Sequence, residues 1–450
     1  MLSNVLNNTA STDNREAIHT VSSSVSWAAL KSQYQHHLEQ FTGIRGQRVG
    51  FALPATANGI AALAAFEQLR VHLFLVDALT GPQHLQQIAD ELQLSDMITA
   101  ETLTRNATVS RVPEEALAKG ASDLGSITIL TSGTSGRPKA VQHHFDNLAR
   151  PVRRRGDQEQ RWLMAYRPHL YAGLQVTLQA LLNQGTLVIP AVDASPQAVA
   201  NLMLDANVEY ASATPSYWRR LLLFADPSDL RRVPMKQITL GGEAIDQSIL
   251  DQLSQSFPTA RIVHIYATTE AGRCFSVSDG IAGFPTAFLD APSADGVELK
   301  ITDGELCVRS ANAMARYDER SELLENRQTT DGWFRTGDLV EIEGERAFFV
   351  GRSTDMINVG GNKVHPVEIE QVIRARDDVA EVRIYAQSSS IAGELVACDV
   401  VPIPSKTDFE EFRQAIVEHC NAQLNRFQRP RIVRILKELE LNDSGKMKRI

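Results

Sequence analysis

Through the first two thirds of the chain, short apolar runs alternate with longer segments that read as helices. Gln47–Leu53 (QRVGFAL) reads as a strand, the alanine-rich Ala55–Leu69 as a helix, Val71–Val76 (VHLFLV) as a second buried strand and Gln83–Leu92 as a helix. Apolar runs of this length separated by helices predict a parallel α/β sheet rather than an all-β sandwich. The pattern resumes at Ile127–Leu130, Thr186–Ile189, Gln237–Leu240 and Arg261–Ile265. Residues 1–20, rich in Ser, Thr and Asn, read as a loose lead-in.

Beyond about Pro285 the segments shorten and alternate. Val297–Ile301, Glu305–Val308, Leu339–Glu343 and Arg346–Val350 read as antiparallel hairpins, with Gly344 in the turn between the last two. From Thr354 onward, Pro366–Arg374 and Asp408–Leu424 read as helices, and Val379–Tyr385 and Leu395–Val401 as strands. The predicted fold is α/β. A large N-terminal body over residues 1–352 would hold two layered α/β sheets plus a β subdomain, and residues 353–450 would form a small α+β domain.

Composition narrows the function classes. Against 54 Asp and Glu stand 45 Lys and Arg, a formal charge of −9, which disfavours a general binder of nucleic acid or anionic membrane. No stretch approaches the roughly 18 uncharged apolar residues of a membrane-spanning helix. The N-terminus lacks a basic flank followed by an apolar core, so no secretory signal is expected. Cys274, Cys307, Cys398 and Cys420 are scattered, without a CxxC pair, and suit reduced, mostly buried thiols in a cytoplasmic protein. Basic residues between Arg426 and Arg449 are interrupted by Glu438, Glu440 and Asp443 and read as a solvated face.

The strongest local signal is the string Thr131-Ser132-Gly133-Thr134-Ser135-Gly136-Arg137-Pro138-Lys139, directly after an apolar run. Its glycines permit positive φ and let backbone N–H groups approach an anion, while its hydroxyls and lysine add donors suited to phosphate oxygens. It is not the GxxxxGK[ST] loop, because Lys139 follows Pro138 and no Ser or Thr comes after it. Taken alone, such a string is either a polar surface turn or a phosphate cradle.

Other motifs bear on the choice. Gly241-Gly242-Glu243-Ala244, Tyr266-Ala267-Thr268-Thr269-Glu270, Gly304-Glu305-Leu306 with Tyr317, and Gly332-Trp333-Phe334-Arg335-Thr336-Gly337-Asp338 follow in order. After them come Gly351-Arg352, Gly360-Gly361-Asn362-Lys363-Val364 with Pro366-Val367-Glu368-Ile369-Glu370, and Ser444-Gly445-Lys446. With the 131–139 string, this series resembles the ordered motifs of the adenylate-forming superfamily, which contains acyl- and aryl-CoA ligases, peptide-synthetase adenylation domains and luciferases. The resemblance covers about residues 20–450.

That resemblance implies activation of a small carboxylic acid by ATP to an acyl-AMP with release of pyrophosphate, then thioester formation with CoA. ATP, Mg²⁺ and CoA are the implied cofactors. Two anions must meet in the first step, so preplaced cations and N–H donors would supply most of the catalysis. The resemblance gives Thr131, Ser132, Gly133, Thr134, Ser135, Gly136 and Lys139 to the β- and γ-phosphates. It gives Gly242, Glu243 and Ala244 to the adenine side, Tyr266 to adenine stacking with Ala267 close to the nucleotide, Thr269 to the α-phosphate and Glu270 to Mg²⁺. On its own, a tyrosine ending an apolar run is more often core packing. Asp338 would accept from both ribose hydroxyls, since one carboxylate can take two O–H donors. Arg352 would contact ribose or phosphate, and Lys446 is the implied catalytic lysine, bridging acid and α-phosphate. In the segment Pro168-His169-Leu170-Tyr171-Ala172-Gly173, His169 would sit beside the substrate carboxylate. Tyr171, Ala172 and Gly173 would wall the acid pocket, with Ser212 and Ala213 on another side. The family's C-terminal domain is mobile, and here would swing about Arg352–Asp355 to present Gly360, Gly361 and Lys363 to the thiol channel.

Three departures from the pattern modify these expectations. Ala267 stands where the family has glycine and narrows the site, and Thr354 falls at the usual hinge position. The N-terminus is short, trimming elements that often help form dimers; a monomer or a homodimer is expected. No Asp lies between Arg161 and Asn183 to pair with a substrate ammonium, which disfavours α-amino acids, because an unpaired buried ammonium is costly. Small groups at Ala211-Ser212-Ala213-Thr214 leave room for a ring or a medium chain, and Tyr217 and Trp218 read as core. Two other functions stay open at this point. One is delivery of the acyl group to the phosphopantetheine of a separate carrier protein. The other is a non-catalytic nucleotide sensor, against which the intact Lys139, Glu270, Asp338 and Lys446 argue.

Overall fold

The computed structural model describes residues 1–104, 125–131, 139–153, 159–310, 313–317, 329, 331–389, 393–403 and 408–440. Among the described residues the strands form four sheets, in a mixed α/β architecture with a distinct C-terminal sheet. The largest has eight strands. Its parallel part runs Arg261–Thr268, Gln237–Gly241, Tyr210–Ala213, Arg161–Met164, Thr186–Ile189 and Glu16–Thr20, with an antiparallel strand at each edge, Gly272–Val277 and Ser24–Ser26. The second, six-stranded sheet has a parallel part formed by Ser126–Thr131, His72–Asp77, Arg48–Leu53 and Asp96–Ile98. On its other side Lys139–His144 runs antiparallel to Ser126–Thr131 and carries the edge strand Arg316–Tyr317. The third sheet is a five-stranded antiparallel array that includes the hairpin Phe334–Glu343 and Arg346–Arg352, turned at Gly344 with φ +60°. The apolar runs of the sequence therefore coincide with observed strands, Gln47–Leu53 and Val71–Val76 starting one residue early and most of the others falling short by one to several residues.

The helix Ala57–Gln68 shows how local chemistry builds the layers. Thr56 caps it, its hydroxyl accepting from the Gly59 N–H at 3.2 Å. Its run of alanines allows a close seat, and Phe66 fills the remaining space with edge contacts to Phe41 and Phe51, each at 5.1 Å between centroids. One core joins the two large sheets, bringing Phe51, Leu75 and Ile129 together with Ile18, Trp162 and Leu187. The C-terminal sheet, with Val379–Ser389 and Gly393–Pro402 at its heart, has a separate core of Ile369, Val382, Val400, Phe412 and Ile416. All four cysteines are free and buried, and Trp218 is fully buried, its ring N–H donating to the Thr239 carbonyl at 3.4 Å. Among the described residues no helix is long and apolar enough to cross a membrane.

The loose lead-in expected over residues 1–20 is not observed. Leu2–Asn8 is a helix, and Glu16–Thr20 pairs in parallel with Thr186–Ile189. Its polar composition conceals three apolar residues, Leu2, Val5 and Leu6, whose i, i+3, i+4 spacing puts all of them into the core. The Glu67 carboxylate then accepts from the Leu2 and Ser3 N–H groups at 2.9 and 3.1 Å and pairs with the Met1 amine, satisfying the helix's first donors.

Candidate functional site

The sheets meet where the sequence motifs cluster. Thr131 and Lys139 are register partners at the ends of two antiparallel strands, so the ends of the glycine-bearing string are held side by side. Ser132, Gly133, Thr134, Ser135 and Gly136 lie outside the described residues, as does Lys446.

The strand Arg261–Thr268 enters the largest sheet buried at Val263 and His264 and becomes half-buried from Ile265 to Glu270. At its exit Ala271 N–H donates to the Thr268 hydroxyl at 2.9 Å, and Gly272, at φ +74°, completes a tight turn that displays Thr269 and Glu270. Three bonds from the six-stranded sheet and its edge hold this turn. The His143 Nε2 donates to the Thr269 carbonyl at 2.7 Å, the Met314 N–H to the Glu270 carbonyl at 2.6 Å, and the Tyr317 hydroxyl to Glu270 Oε1 at 3.3 Å. His143 is fully buried, and burial above all pushes its pKa down to about 4, so it is neutral at pH 7.

Tyr266, two residues before the turn, stacks its ring with Phe275 and Phe349 at centroid distances of 5.3 and 4.8 Å. Its hydroxyl donates to Asp338 Oδ2 at 2.5 Å. Burial, reinforced by the Asp338 charge, pushes that hydroxyl's pKa well above its ordinary value, so it remains a donor. The other oxygen of Asp338 accepts from Arg352 Nε at 2.9 Å, the two residues being register partners in the third sheet. Asp338 is nearly buried, while Arg352 keeps about half of its side chain exposed. Glu305 explains the GEL motif in physical terms. Its buried carboxylate accepts from the Gly337 N–H at 2.7 Å and from Arg335, fixing the irregular stretch of the strand, with Gly337 at φ +80°, that delivers Asp338.

The expected acid-pocket residues lie on two separate elements. Tyr171–Leu181 is a helix whose start places Tyr171 and Gly173 in the core, with His169 buried just before it. Gly173 is required there, because a Cβ at this position would lie 2.0 Å from the Arg167 carbonyl oxygen. Ser212 and Ala213 are buried at the end of their strand. Tyr166, which the sequence reading passed over, donates its hydroxyl to the Gly241 carbonyl at 3.2 Å and ties this region to the Gly242-Glu243-Ala244 turn. Gly242 takes φ +89° and Glu243 accepts from both the N–H and the hydroxyl of Ser216, at 2.9 and 3.0 Å. His143 was also passed over. Its link to Thr269 spans 126 positions, beyond the reach of any local pattern, and a lone histidine on a strand carries no signal of its own.

The remaining expected residues stand apart. Gly360, Gly361 and Lys363 are exposed on the hairpin Ile357–Val359 and Asn362–Val364, with nothing within 4 Å of where a Cβ would stand at either glycine. A different face of the C-terminal unit meets the body. Asp246 takes Arg219 at 2.6 Å and Arg374 at 4.0 Å. Burial works to raise the Asp246 pKa, but the two arginines outweigh it and hold the carboxyl below its ordinary value. Leu439, in the tail that leads toward Lys446, is buried, and burial above all pushes the Glu381 carboxyl above its ordinary pKa, opposed by the Arg220 charge and reinforced by that of Glu243. Among the described residues no group of three or more His, Cys, Asp or Glu side chains is gathered to hold a metal ion.

Known proteins resemble this chain along most of its length. The family model described as AMP-binding enzyme matches residues 7–318, and the model described as AMP-binding enzyme C-terminal domain matches residues 368–446. The chain is 27% identical to the long-chain-fatty-acid–CoA ligase FadD13 of Mycobacterium tuberculosis over 371 residues, covering 79% of this chain and 72% of that protein. It is 29% identical to a 4-chlorobenzoate–CoA ligase of an Arthrobacter species over 345 residues, 71% of this chain and 64% of that one. In fold it resembles ATP-bound MatB from Rhodopseudomonas palustris, with a TM-score of 0.78 at 20% identity, covering 99% of this chain and 96% of that one. It also resembles the anthranilate CoA ligase AuaEII in complex with anthranoyl-AMP, with a TM-score of 0.80 at 17% identity, covering 99% and 95%.

Proposed function

Because the chain belongs to the AMP-binding enzyme family, we propose that it couples a carboxylic acid to ATP, releasing pyrophosphate, and passes the acyl group from acyl-AMP to the thiol of CoA. One observation carries this reading: a hydrogen-bonded path through three sheets. It runs from the Lys139–His144 strand through His143 to Thr269–Glu270, then along the chain to Tyr266, Asp338 and Arg352. Along this path lie Lys139, the Thr269 hydroxyl, the Glu270 carboxylate, the Tyr266 ring and the Arg352 guanidinium, a donor and acceptor set suited to a nucleoside triphosphate.

In this reading Lys139 and the 131–139 loop hold the β- and γ-phosphates, Thr269 meets the α-phosphate, and Asp338 takes the ribose hydroxyls. Each oxygen of Asp338 already accepts one bond and keeps a lone pair for a ribose O–H. Gly242, Glu243 and Ala244 flank the adenine, beside Tyr266 and Ala267. Glu270 is a half-buried carboxylate partnered by a neutral hydroxyl. It fits a Mg²⁺ ion, which commonly takes one or two protein carboxylates and completes its shell with substrate phosphates and water. That ion would offset phosphate charge when bound. Lys446 supplies the remaining cation, between acid and α-phosphate. We place the domain boundary at 352/353 and assign the observed packing of the C-terminal unit to the adenylation step, since Arg374 and Glu381 face Asp246 and Glu243 of the body while the Gly360–Gly361 hairpin is exposed. Thioester formation then requires the unit to turn about Arg352–Asp355.

The acid class that fits best is an aryl or medium-chain carboxylate. His169, Tyr171, Ala172 and Gly173 with Ser212 and Ala213 offer an apolar wall and no carboxylate for an ammonium. Buried free cysteines suit a reducing cytoplasm. Incubating the protein with ATP, Mg²⁺, CoA and a panel of such acids, then seeking the CoA thioester by mass spectrometry, tests the proposal. Adenylation without a free thioester would instead point to a carrier-protein phosphopantetheine as acceptor.

A further inference from the structure

We propose that His143 is a positioning residue for the reaction: through its Nε2–H bond to the Thr269 carbonyl it fixes the Thr269–Glu270 turn against the strand that begins at Lys139. The claim rests on the functional reading above. Two sheets contribute the parts. His143 and Lys139 lie on one strand, four residues apart and on the same face, about 13 Å along the strand. Thr269 and Glu270 come from the largest sheet. The 2.7 Å bond from His143 is a direct cross-link between the strand that starts at Lys139 and the turn that carries Thr269.

The imidazole is suited to that work. A backbone carbonyl can only accept, so Nε2 carries the proton, and a neutral ring leaves Nδ1 bare. Nδ1 is buried and has no hydrogen-bond partner among the described residues. The ring thus buries one bare nitrogen while its other nitrogen supplies a donor to the Thr269 carbonyl, which an apolar side chain would leave without this bond. The ring also lies 5.7 Å from that of Tyr171, at the start of the acid-pocket helix. His143 therefore touches elements of all three expected subsites: phosphate loop strand, Thr269–Glu270 turn and acid pocket. The Met314 and Tyr317 bonds hold Glu270 from the opposite edge of the same strand, so His143 controls the Thr269 side of the turn.

The test compares His143→Gln, whose amide nitrogen reaches the position of Nε2, with His143→Asn, whose shorter amide does not, and with His143→Leu. Acid-dependent pyrophosphate–ATP exchange gives kcat and KM for ATP, and calorimetric titration with Mg²⁺ and a non-hydrolysable ATP analogue gives affinity without any acid. The glutamine variant is expected to stay within about threefold of the parent, while asparagine and leucine lose roughly 10- to 100-fold in kcat/KM for ATP, an effect typical of a misplaced contact. A purely structural role would lower the folded fraction and leave KM and kcat per folded molecule unchanged. Equal activity in the glutamine and asparagine variants overturns the proposal, as does a glutamine variant that fails to fold. Absence of exchange in the parent protein would overturn the functional reading instead, and the analogue titration would still report on the His143 bond.

Discussion

Replacing Asp338 by alanine tests the nucleotide side of the site most sharply, because the residue has a structural and a proposed functional load that can be separated. In the resting protein the change removes the acceptor for the Tyr266 hydroxyl and the partner of Arg352 Nε. A hydrogen bond to a charged group contributes about 1.5–3 kcal/mol, but Arg352 is half exposed and water replaces most of its loss. The Tyr266 side should dominate, for a total of about 2 kcal/mol, which for a body of this size shifts the melting temperature by a few degrees. The functional load is read with ATP against 2′,3′-dideoxy-ATP. If Asp338 accepts both ribose hydroxyls, the parent should prefer ATP by roughly 10²-fold or more in kcat/KM, since a site built to bond hydroxyls rejects the analogue lacking them. Asp338→Ala should bring the two nucleotides within about threefold of each other. A variant that loses stability yet keeps the full preference for ATP would refute the ribose assignment while leaving the Tyr266–Asp338–Arg352 cluster intact.

Three further outcomes are expected. Lys446→Ala should lower the rate of acid-dependent exchange by about 10²-fold or more, because a cation placed between two anionic reactants acts mainly in the transition state. Stability should fall between pH 7.5 and pH 5 as His143, held neutral in the fold down to about pH 4, fails to take the proton that the unfolded chain accepts near 6.5; its share at pH 5 is about 2 kcal/mol. Urea midpoints at the two pH values should show a shallower slope in His143→Gln than in the parent. Asp246→Ala should leave Arg219 buried without its closest partner, costing about 3 kcal/mol, and should speed limited proteolysis between residues 352 and 355 by loosening the Arg374 contact; unchanged cleavage there would show that this contact does not restrain the C-terminal unit.

Much of this architecture is legible in one dimension because its determinants are local. Strands such as Arg48–Leu53 and His72–Asp77 are buried on both faces and so read as continuous apolar runs, and the Phe334–Glu343 and Arg346–Arg352 hairpin announces itself through Gly344. The site motifs are legible for a related reason: each is a turn whose backbone must display a particular group, so glycines and hydroxyls stand at fixed offsets. What escapes is settled by partners far along the chain. The N-terminal helix is invisible because its polar surface outweighs three apolar residues, and its cap, Glu67, comes from another helix. Tyr166 meets Gly241 across 75 positions and His143 meets Thr269 across 126, so neither can be found from spacing. The Asp246, Arg219 and Arg374 contact needs both units in place before it exists.

The account stands or falls on whether this chain joins an acid to a nucleotide. Exchange of labelled pyrophosphate into ATP, with and without each of a panel of aryl and medium-chain acids, measures that step without reference to the final acceptor. The expected result is exchange that depends on one class of acid and on Mg²⁺ and that falls by roughly 10²-fold in Asp338→Ala. Cleavage of ATP to ADP and phosphate, or an exchange rate indifferent to every acid, would contradict it.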